Sequence, residues 1–216
     1  MNVTKTDREQ SLISDEFLWD TSSSTEVHKY VYPLLNKWIK NSETNNLLDL
    51  GCGNGSLTAM FANNGIKCSG TDFSESGIKI AQKAFPGVDF FQSAMHDELP
   101  NNQHAKYDVV ISVEVIEHLL LPRQLFNRAK EALKPNGFLI VTTPFHGFWK
   151  NIALALTNSF DKHWHPLRDH GHVKFFSEST LSQLFVEQGF EVIEIKRVGR
   201  IPIFARSMVI KGRLKK

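Results

Sequence analysis

The run Tyr107-Asp108-Val109-Val110-Ile111-Ser112-Val113 is apolar at nearly consecutive positions instead of at alternate ones. Successive side chains of a strand point to opposite faces, so such a run needs apolar cover on both sides. That demand puts it at the centre of a parallel sheet, with helices packed above and below. The flanking sequence supplies matching pieces. Leu47 to Leu50, Lys67 to Asp72, Val88 to Gln92, Gly137 to Thr143, Phe190 to Val198 and Ser207 to Lys211 read as further strands. Between them, Val27, Tyr30, Val31, Leu34, Leu35 and Trp38 recur at three- and four-residue spacing, which predicts a helix over 27–39 that Pro33 bends or begins. Ser56 to Asn63, Ser74 to Ala84, Leu121 to Leu133 and Glu178 to Gln188 are the other helical stretches. Ser74 is placed to cap its helix, with Glu75 in the first turn, and Lys134-Pro135-Asn136-Gly137 is a helix-end signal. Strand and helix alternating in this order predict an α/β, doubly wound fold.

Composition narrows the function classes. The chain has 216 residues and a net charge of only +2, so no overall field draws it to nucleic acid or anionic lipid. Cys52 and Cys68, its two cysteines, lack metal-ligand spacing and make no disulfide framework. Residues 1–16 are polar, without the apolar run of a signal peptide, and no stretch reaches the roughly 18 apolar residues of a membrane span. The expectation is a cytoplasmic protein with a flexible entry over 1–26 and one domain over 27–216. Residues 144–172 are too long for an ordinary connection and carry five of the nine histidines, which reads as an inserted lid.

In an open parallel sheet the ligand crevice lies beyond the C-terminal strand ends. After the first strand comes Asp49-Leu50-Gly51-Cys52-Gly53-Asn54-Gly55, whose glycines let backbone N–H groups approach a ligand and then start a helix. The spacing is not that of the dinucleotide fingerprint, and such a turn can also connect strand to helix with no ligand. Asp72 ends the second strand about twenty residues on, where an acid can accept both hydroxyls of a ribose. Ser93-Ala94-Met95-His96 follows the third strand, where a base ring could sit. After the fourth strand, Glu114, Glu117 and His118 fall at i, i+3 and i+4 and would share one face of a helix. Two carboxylates and an imidazole suit Mg²⁺ or a first-row metal, with His172 of the insertion as fourth ligand. Carboxylates in a first helical turn are equally stabilised by the helix dipole with no ligand at all.

Together these residues resemble the class I S-adenosylmethionine-dependent methyltransferases: Leu47 to Gly55 is similar to their first motif, Asp72 to their ribose acid, Ser93-Ala94 to their adenine-side loop and Tyr107 to Glu114 to their fourth strand. The resemblance implies a seven-stranded, mostly parallel sheet with an antiparallel last strand. It places Asp49, Gly51, Cys52, Gly53 and Gly55 around the methionine moiety, Asp72 and Phe73 at the ribose, Ala94 at the adenine and Val113 near the sulfonium. The Glu-x-x-Glu-His pattern, Thr142-Thr143-Pro144 and His172-Val173-Lys174-Phe175-Phe176 resemble two subfamilies. One is the ubiquinone-biosynthesis O-methyltransferases, which methylate catechol-type rings and are the closer in motif. The other is the small-RNA 3′-terminal 2′-O-methyltransferases, in which the residues matching Glu114, Glu117, His118 and His172 hold a divalent metal. Either resemblance makes Glu114 and His118 the catalytic candidates, His118 as general base where no metal activates the hydroxyl.

Phe148-Trp149, Ile152 to Leu156 and Phe160 can form one apolar face over 147–160, which could lie on a membrane surface, cover a greasy acceptor, or pack on the sheet as a lid. The tail from Arg197 to Lys216 carries seven basic residues and no acid. It could meet phosphates, but it lacks the interleaved aromatics that RNA recognition uses. A lipophilic small molecule is the expected partner, and nucleic acid is not.

Overall fold

The computed structural model describes residues 17–42, 44–164, 166–168 and 170–215. Most of the expected flexible entry, with His165 and Lys216, lies outside them. Seven strands form one sheet: β1 (Asn46–Leu50), β2 (Lys67–Asp72), β3 (Asp89–Gln92), β4 (Tyr107–Val113), β5 (Leu133–Pro144), β6 (Phe190–Val198) and β7 (Ser207–Leu214). Their order is β3-β2-β1-β4-β5-β7-β6. The pairs from β3 to β5 are parallel, and β7 runs antiparallel to both β5 and β6. The expected antiparallel last strand is thus wedged between its neighbours.

Among the described residues seven helices precede, connect or flank the strands: α1 (Glu26–Lys40), α2 (Ser56–Ala62), α3 (Glu75–Ala84), α4 (Arg123–Ala132), α5 (Phe148–Leu156), α6 (Phe160–Trp164) and α7 (Glu178–Glu187). Ser74 caps α3, its hydroxyl accepting from the Gly77 N–H. Pro33 lies inside α1 without ending it, so the helix neither starts nor stops there.

The period-two pattern of the central strands separates two cores. Leu48 and Leu50 of β1 and Val110 of β4 pack with Phe126 of α4 and Phe185 of α7. Leu47, Val109 and Ile111 face the other way, onto Leu35 and Trp38 of α1 and Phe61 of α2. Both faces of β1 and β4 are therefore consumed by packing, and polar groups gather at strand ends. The helix-end signal at 134–137 holds, since α4 stops at Ala132 and Asn136 takes the left-handed φ of 65°. Chain pairing starts earlier than the signal suggests, because Leu133 already pairs with Tyr107 before the register shifts to Val109 with Phe138.

Phe126 is fully buried and meets Phe185 and Phe190 edge-on, with centroids 5.0 and 5.8 Å away. Phe126→Ala is expected to cost about 3–5 kcal/mol in urea denaturation through the cavity it leaves. Val186→Ala, on an exposed site of α7, should shift stability by no more than about 0.5 kcal/mol. Equal losses in the two variants would contradict this placement of the core.

Candidate active site

The turn after β1 is built on positive φ at Gly51 (83°), Gly53 (52°) and Gly55 (73°). A Cβ at Gly51 would collide with Val115, one at Gly53 with the Trp19 ring, and one at Gly55 would sit 2.6 Å from Phe90. These positions therefore need glycine for space as well as for backbone freedom. The Gly51 and Cys52 N–H groups donate to the Thr71 carbonyl at 2.8 and 3.0 Å, which docks the turn on β2.

Asp72 joins the next elements. One carboxylate oxygen accepts from the Gly53 N–H at 2.8 Å and the other from the Ser74 N–H at 2.9 Å. Its carbonyl accepts from Ser93 N–H at 3.0 Å, so the loop carrying Ala94 is tied to the same residue. Phe73 beside it is exposed, and Val113 is half-buried at the end of β4. The structure thus brings the turn, Asp72 and the Ala94 loop together. Cys52 is buried and its thiol is pushed well up by that burial, so it takes no part as a thiolate.

Asp49 lies inside β1, almost wholly enclosed, with one oxygen accepting from Thr58 Oγ1 at 2.7 Å. Burial raises its carboxyl to about 7, Thr58 opposing and the Asp72 charge adding to the rise.

One contributor gave no sequence signal. Residues 17–25, read as part of a flexible entry, cross the glycine turn. The Asn54 side-chain amide donates to the Thr21 and Ser23 carbonyls at 2.8 and 2.9 Å. Ser74 Oγ donates to the Phe17 carbonyl, the Trp19 N–H donates to Ser76 Oγ, and Arg168 of the insertion lies over the Phe17 ring at 5.5 Å. The Asn54 contacts use backbone carbonyls of a Thr/Ser run, which composition cannot distinguish from a solvated one.

The acidic group differs from its expected form. Glu114 adopts a left-handed φ of 56°, and only after it does a 3-10 turn, Ile116–His118, begin. Glu114, Glu117 and His118 therefore do not share one helical face, because the backbone reversal at Glu114 breaks the register. The Glu114 carboxylate turns to β5 and accepts from Thr142 Oγ1 at 2.8 Å. Burial lifts its carboxyl to about 7, against the hydrogen bonds from Thr142 and Ser207 and the charge of Lys150.

Glu117 is 1% exposed, and neither carboxylate oxygen has a hydrogen-bond partner. Burial, then the Glu114 charge, pushes it well above the usual carboxylate range. Its backbone carbonyl accepts from the Val173 and Lys174 N–H groups at 2.8 and 2.9 Å, which brings in His172, whose Nε2 lies 4.0 Å from the carboxylate. The His118 Nδ1–H donates to the His170 carbonyl at 2.8 Å, leaving the lone pair on Nε2. Partial burial lowers the His118 imidazole from its ordinary value. The ligand atoms of Glu117, His118 and His172 lie within 4.8 Å of one another, the one such group among the described residues. Three of the four expected metal-site residues are thus assembled, and Glu114 stands apart from them.

Comparison with known proteins bears on this site. Residues 25–195 match the model of a methyltransferase domain family. A ubiquinone biosynthesis O-methyltransferase of Rickettsia typhi is 29% identical over 154 residues, which cover 69% of this chain and 61% of that protein. One of the same name from Leptothrix cholodnii is 26% identical over 198 residues, 87% of this chain and 83% of the relative. The chain spans 60 to 64% of the length of the first three such relatives. A Pyrococcus horikoshii OT3 protein superposes with a TM-score of 0.70 at 19% identity, covering 99% of this chain and all of that one. The magnesium protoporphyrin IX methyltransferase of Synechocystis PCC 6803, solved with bound SAH, does so with a TM-score of 0.65 at 17% identity, over 97% and 94% of the two chains. These likenesses establish the fold.

The raised carboxyls fix a sign. Asp49 and Glu114 hold protons up to about pH 7 in the folded chain and release them near 4 when unfolded. At these two sites the folded state binds more protons across that window, so their contribution to stability is expected to fall as pH rises from about 4 to about 7, while the imidazoles of His28 and His146, lowered to about 4 by burial, contribute in the opposite direction. Asp49→Asn, which still accepts from Thr58, should remove a share on the order of 2–4 kcal/mol between those limits. Denaturation midpoints of the wild type and D49N that run parallel from pH 4 to pH 8 would refute it.

Proposed function

This chain belongs to the methyltransferase domain family, and on that premise we propose that it transfers the methyl group of S-adenosylmethionine to a hydroxyl of a small lipophilic phenol, catechol or quinol. The observation that carries the reading is Glu117: a buried carboxylate with both oxygens unpartnered, beside two imidazoles, at the strand ends next to the glycine turn. The name of the relatives supplies the O-methyl part of the proposal.

The residues fit the cofactor. Gly51 and Gly53 give the turn at the end of β1 the positive φ that its course requires, Asp72 is held by backbone N–H groups for a ribose, and Asp49 is an enclosed carboxyl that a cationic ammonium would compensate. Phe73, Ala94 and Val113 complete this side. Bound S-adenosylmethionine supplies an electrophilic methyl on a positively charged sulfur. Transfer would form the acceptor O–CH₃ bond at the expense of the S–CH₃ bond, giving S-adenosylhomocysteine, and the hydroxyl proton would pass to a base of the chain.

The residues also fit a divalent metal. A buried carboxylate without a donor is costly unless a cation meets it, and an imidazole whose Nδ1–H is pinned to a carbonyl is the usual arrangement of a metal-ligating histidine. Glu117, His118 and His172 would hold such an ion, which would lower the pKa of a bound hydroxyl. Where no ion is held, the Nε2 lone pair of His118 takes the hydroxyl proton. Glu114 is fixed by the hydrogen bond from Thr142.

The exposed side of α5 supports a greasy acceptor delivered from a membrane surface. Phe148, Trp149 and Leu156 are 70%, 60% and 83% exposed, and α5 buries none of its residues. Among the described residues no helix is long and apolar enough to cross a membrane, so contact would be peripheral. An RNA acceptor is disfavoured because four of the basic residues of the tail are engaged within the protein. Arg197 pairs with Glu178, Arg206 with Glu26, and Lys211 and Arg213 lie over the Phe138 ring.

The test is transfer of labelled methyl to fractionated cell extract, with and without a chelator. Label is expected in the organic-soluble fraction and should fall at least tenfold with chelator. His118→Ala is expected to lower turnover about 10²-fold or more while SAH affinity changes less than twofold. Label in small RNA alone would replace this reading with the terminal-ribose one. Loss of SAH binding in His118→Ala would remove its catalytic role.

A further inference from the structure

A series of aromatic rings leads away from the Glu117 group. His118 and His172 meet edge-on with centroids 4.9 Å apart, and His172 is followed by Phe175 at 6.4 Å. Phe175 in turn packs edge-on to His146 at 5.1 Å and lies tilted against Trp164 at 4.6 Å. These rings come from four separate pieces of chain: the turn after β4, the end of β5, helix α6 and the segment before α7. No common helical or strand period places them together.

His146 is the unusual member. Its Nδ1 lies 3.4 Å from Asn151 Oδ1, an acceptor, so Nδ1 carries the proton and Nε2 the lone pair. That Nε2 is buried and has no hydrogen-bond partner. An enclosed acceptor without a donor is destabilising, and a ring held in that state is suited to a ligand that brings the donor. Burial keeps the imidazole from charging, lowering it to about 4, with the Lys150 charge acting in the same direction. The wall over it is light: α5 has no buried side chain, so this helix can move without opening either core.

We propose that this seam is the acceptor-ring subsite, with Phe175 and Trp164 stacking a hydroxylated aromatic ring and His146 Nε2 receiving a hydrogen bond from one of its hydroxyls. The inference rests on the reading of the chain as a methyltransferase for phenols and deepens it. His146 is a positioning residue here. By anchoring one hydroxyl on the seam that continues from His172, it would set the orientation of the ring towards the Glu117, His118 and His172 group. Edge and face contacts with aromatic side chains favour a planar ring over a saturated one of equal size.

The test is equilibrium binding of catechol to the SAH-loaded protein, with cis-1,2-cyclohexanediol as the saturated control. Catechol is expected to bind at least tenfold tighter than the diol. His146→Phe, which keeps a ring but loses the acceptor nitrogen, should weaken catechol at least tenfold while SAH affinity stays within twofold. His146→Gln, which restores an acceptor, should recover part of that loss. In turnover on any phenol found as substrate, His146→Phe is expected to raise KM more than it lowers kcat. Catechol binding absent from the wild type, or equal in wild type and His146→Phe, would overturn the subsite. His146-dependent binding of catechol without methyl transfer to any phenol would leave the subsite standing and remove the proposed reaction instead. Methyl transfer to a phenol with unchanged KM in His146→Phe would do the reverse.

Discussion

Burial of β1 and β4 on both faces is the constraint from which the rest follows. Leu47 and Leu48, and likewise Val109 and Val110, are adjacent in sequence yet belong to different cores. With both faces committed to packing, a ligand meets the backbone at the strand ends, and in such a sheet the crevice lies beyond the C-terminal ones. The glycine turn, Asp72, the Ala94 loop, Glu114 and the Glu117 turn all sit there. Asp49 is the exception, a carboxyl drawn inside the sheet, and it is held near neutral charge by that burial.

Two backbone staples convert these loops into a site. Asp72 spends both oxygens on N–H groups of Gly53 and Ser74, so the acid expected at a ribose is also the clamp between the turn and α3. The carbonyl of Glu117 accepts from Val173 and Lys174, and His118 reaches the carbonyl of His170. Together these bonds draw the end of the insertion across to β4, more than fifty residues away in sequence. They explain why His172 stands next to a carboxylate that has no local partner. Charge-assisted bonds of the first kind are the stronger ones, and the second kind fix direction more than they add energy.

The insertion follows different physics. It contributes rings and the His170 carbonyl to the site, but its helix α5 buries no side chain and leaves Phe148, Trp149 and Leu156 in solvent. An element with few buried contacts opens at low cost, which is what an acceptor-covering segment needs. The same exposure provides the apolar side that a membrane surface would meet, so one weakly packed segment serves both acceptor entry and peripheral contact in the proposed scheme.

The sequence by itself determined the strands, most helix limits, the antiparallel last strand by family resemblance, and the positions of the glycine turn and of Asp72 at neighbouring strand ends. These are local or period-based features: apolar runs, glycines where φ must be positive, an acid at a strand end. Residues 17–25 escaped it because their bonds run through backbone carbonyls that any residue carries. Glu114 was assigned to one face with Glu117 and His118 on the assumption of continuous helix, which a single left-handed φ of 56° overturns. Only the tertiary structure decided that Glu117 is the enclosed, unpartnered carboxylate, that His172 and not Glu114 joins it with His118, and that His146 and Phe175 continue the wall. Those placements depend on long-range hydrogen bonds between loops, and no local spacing in the chain encodes a contact that the fold closes from a distance.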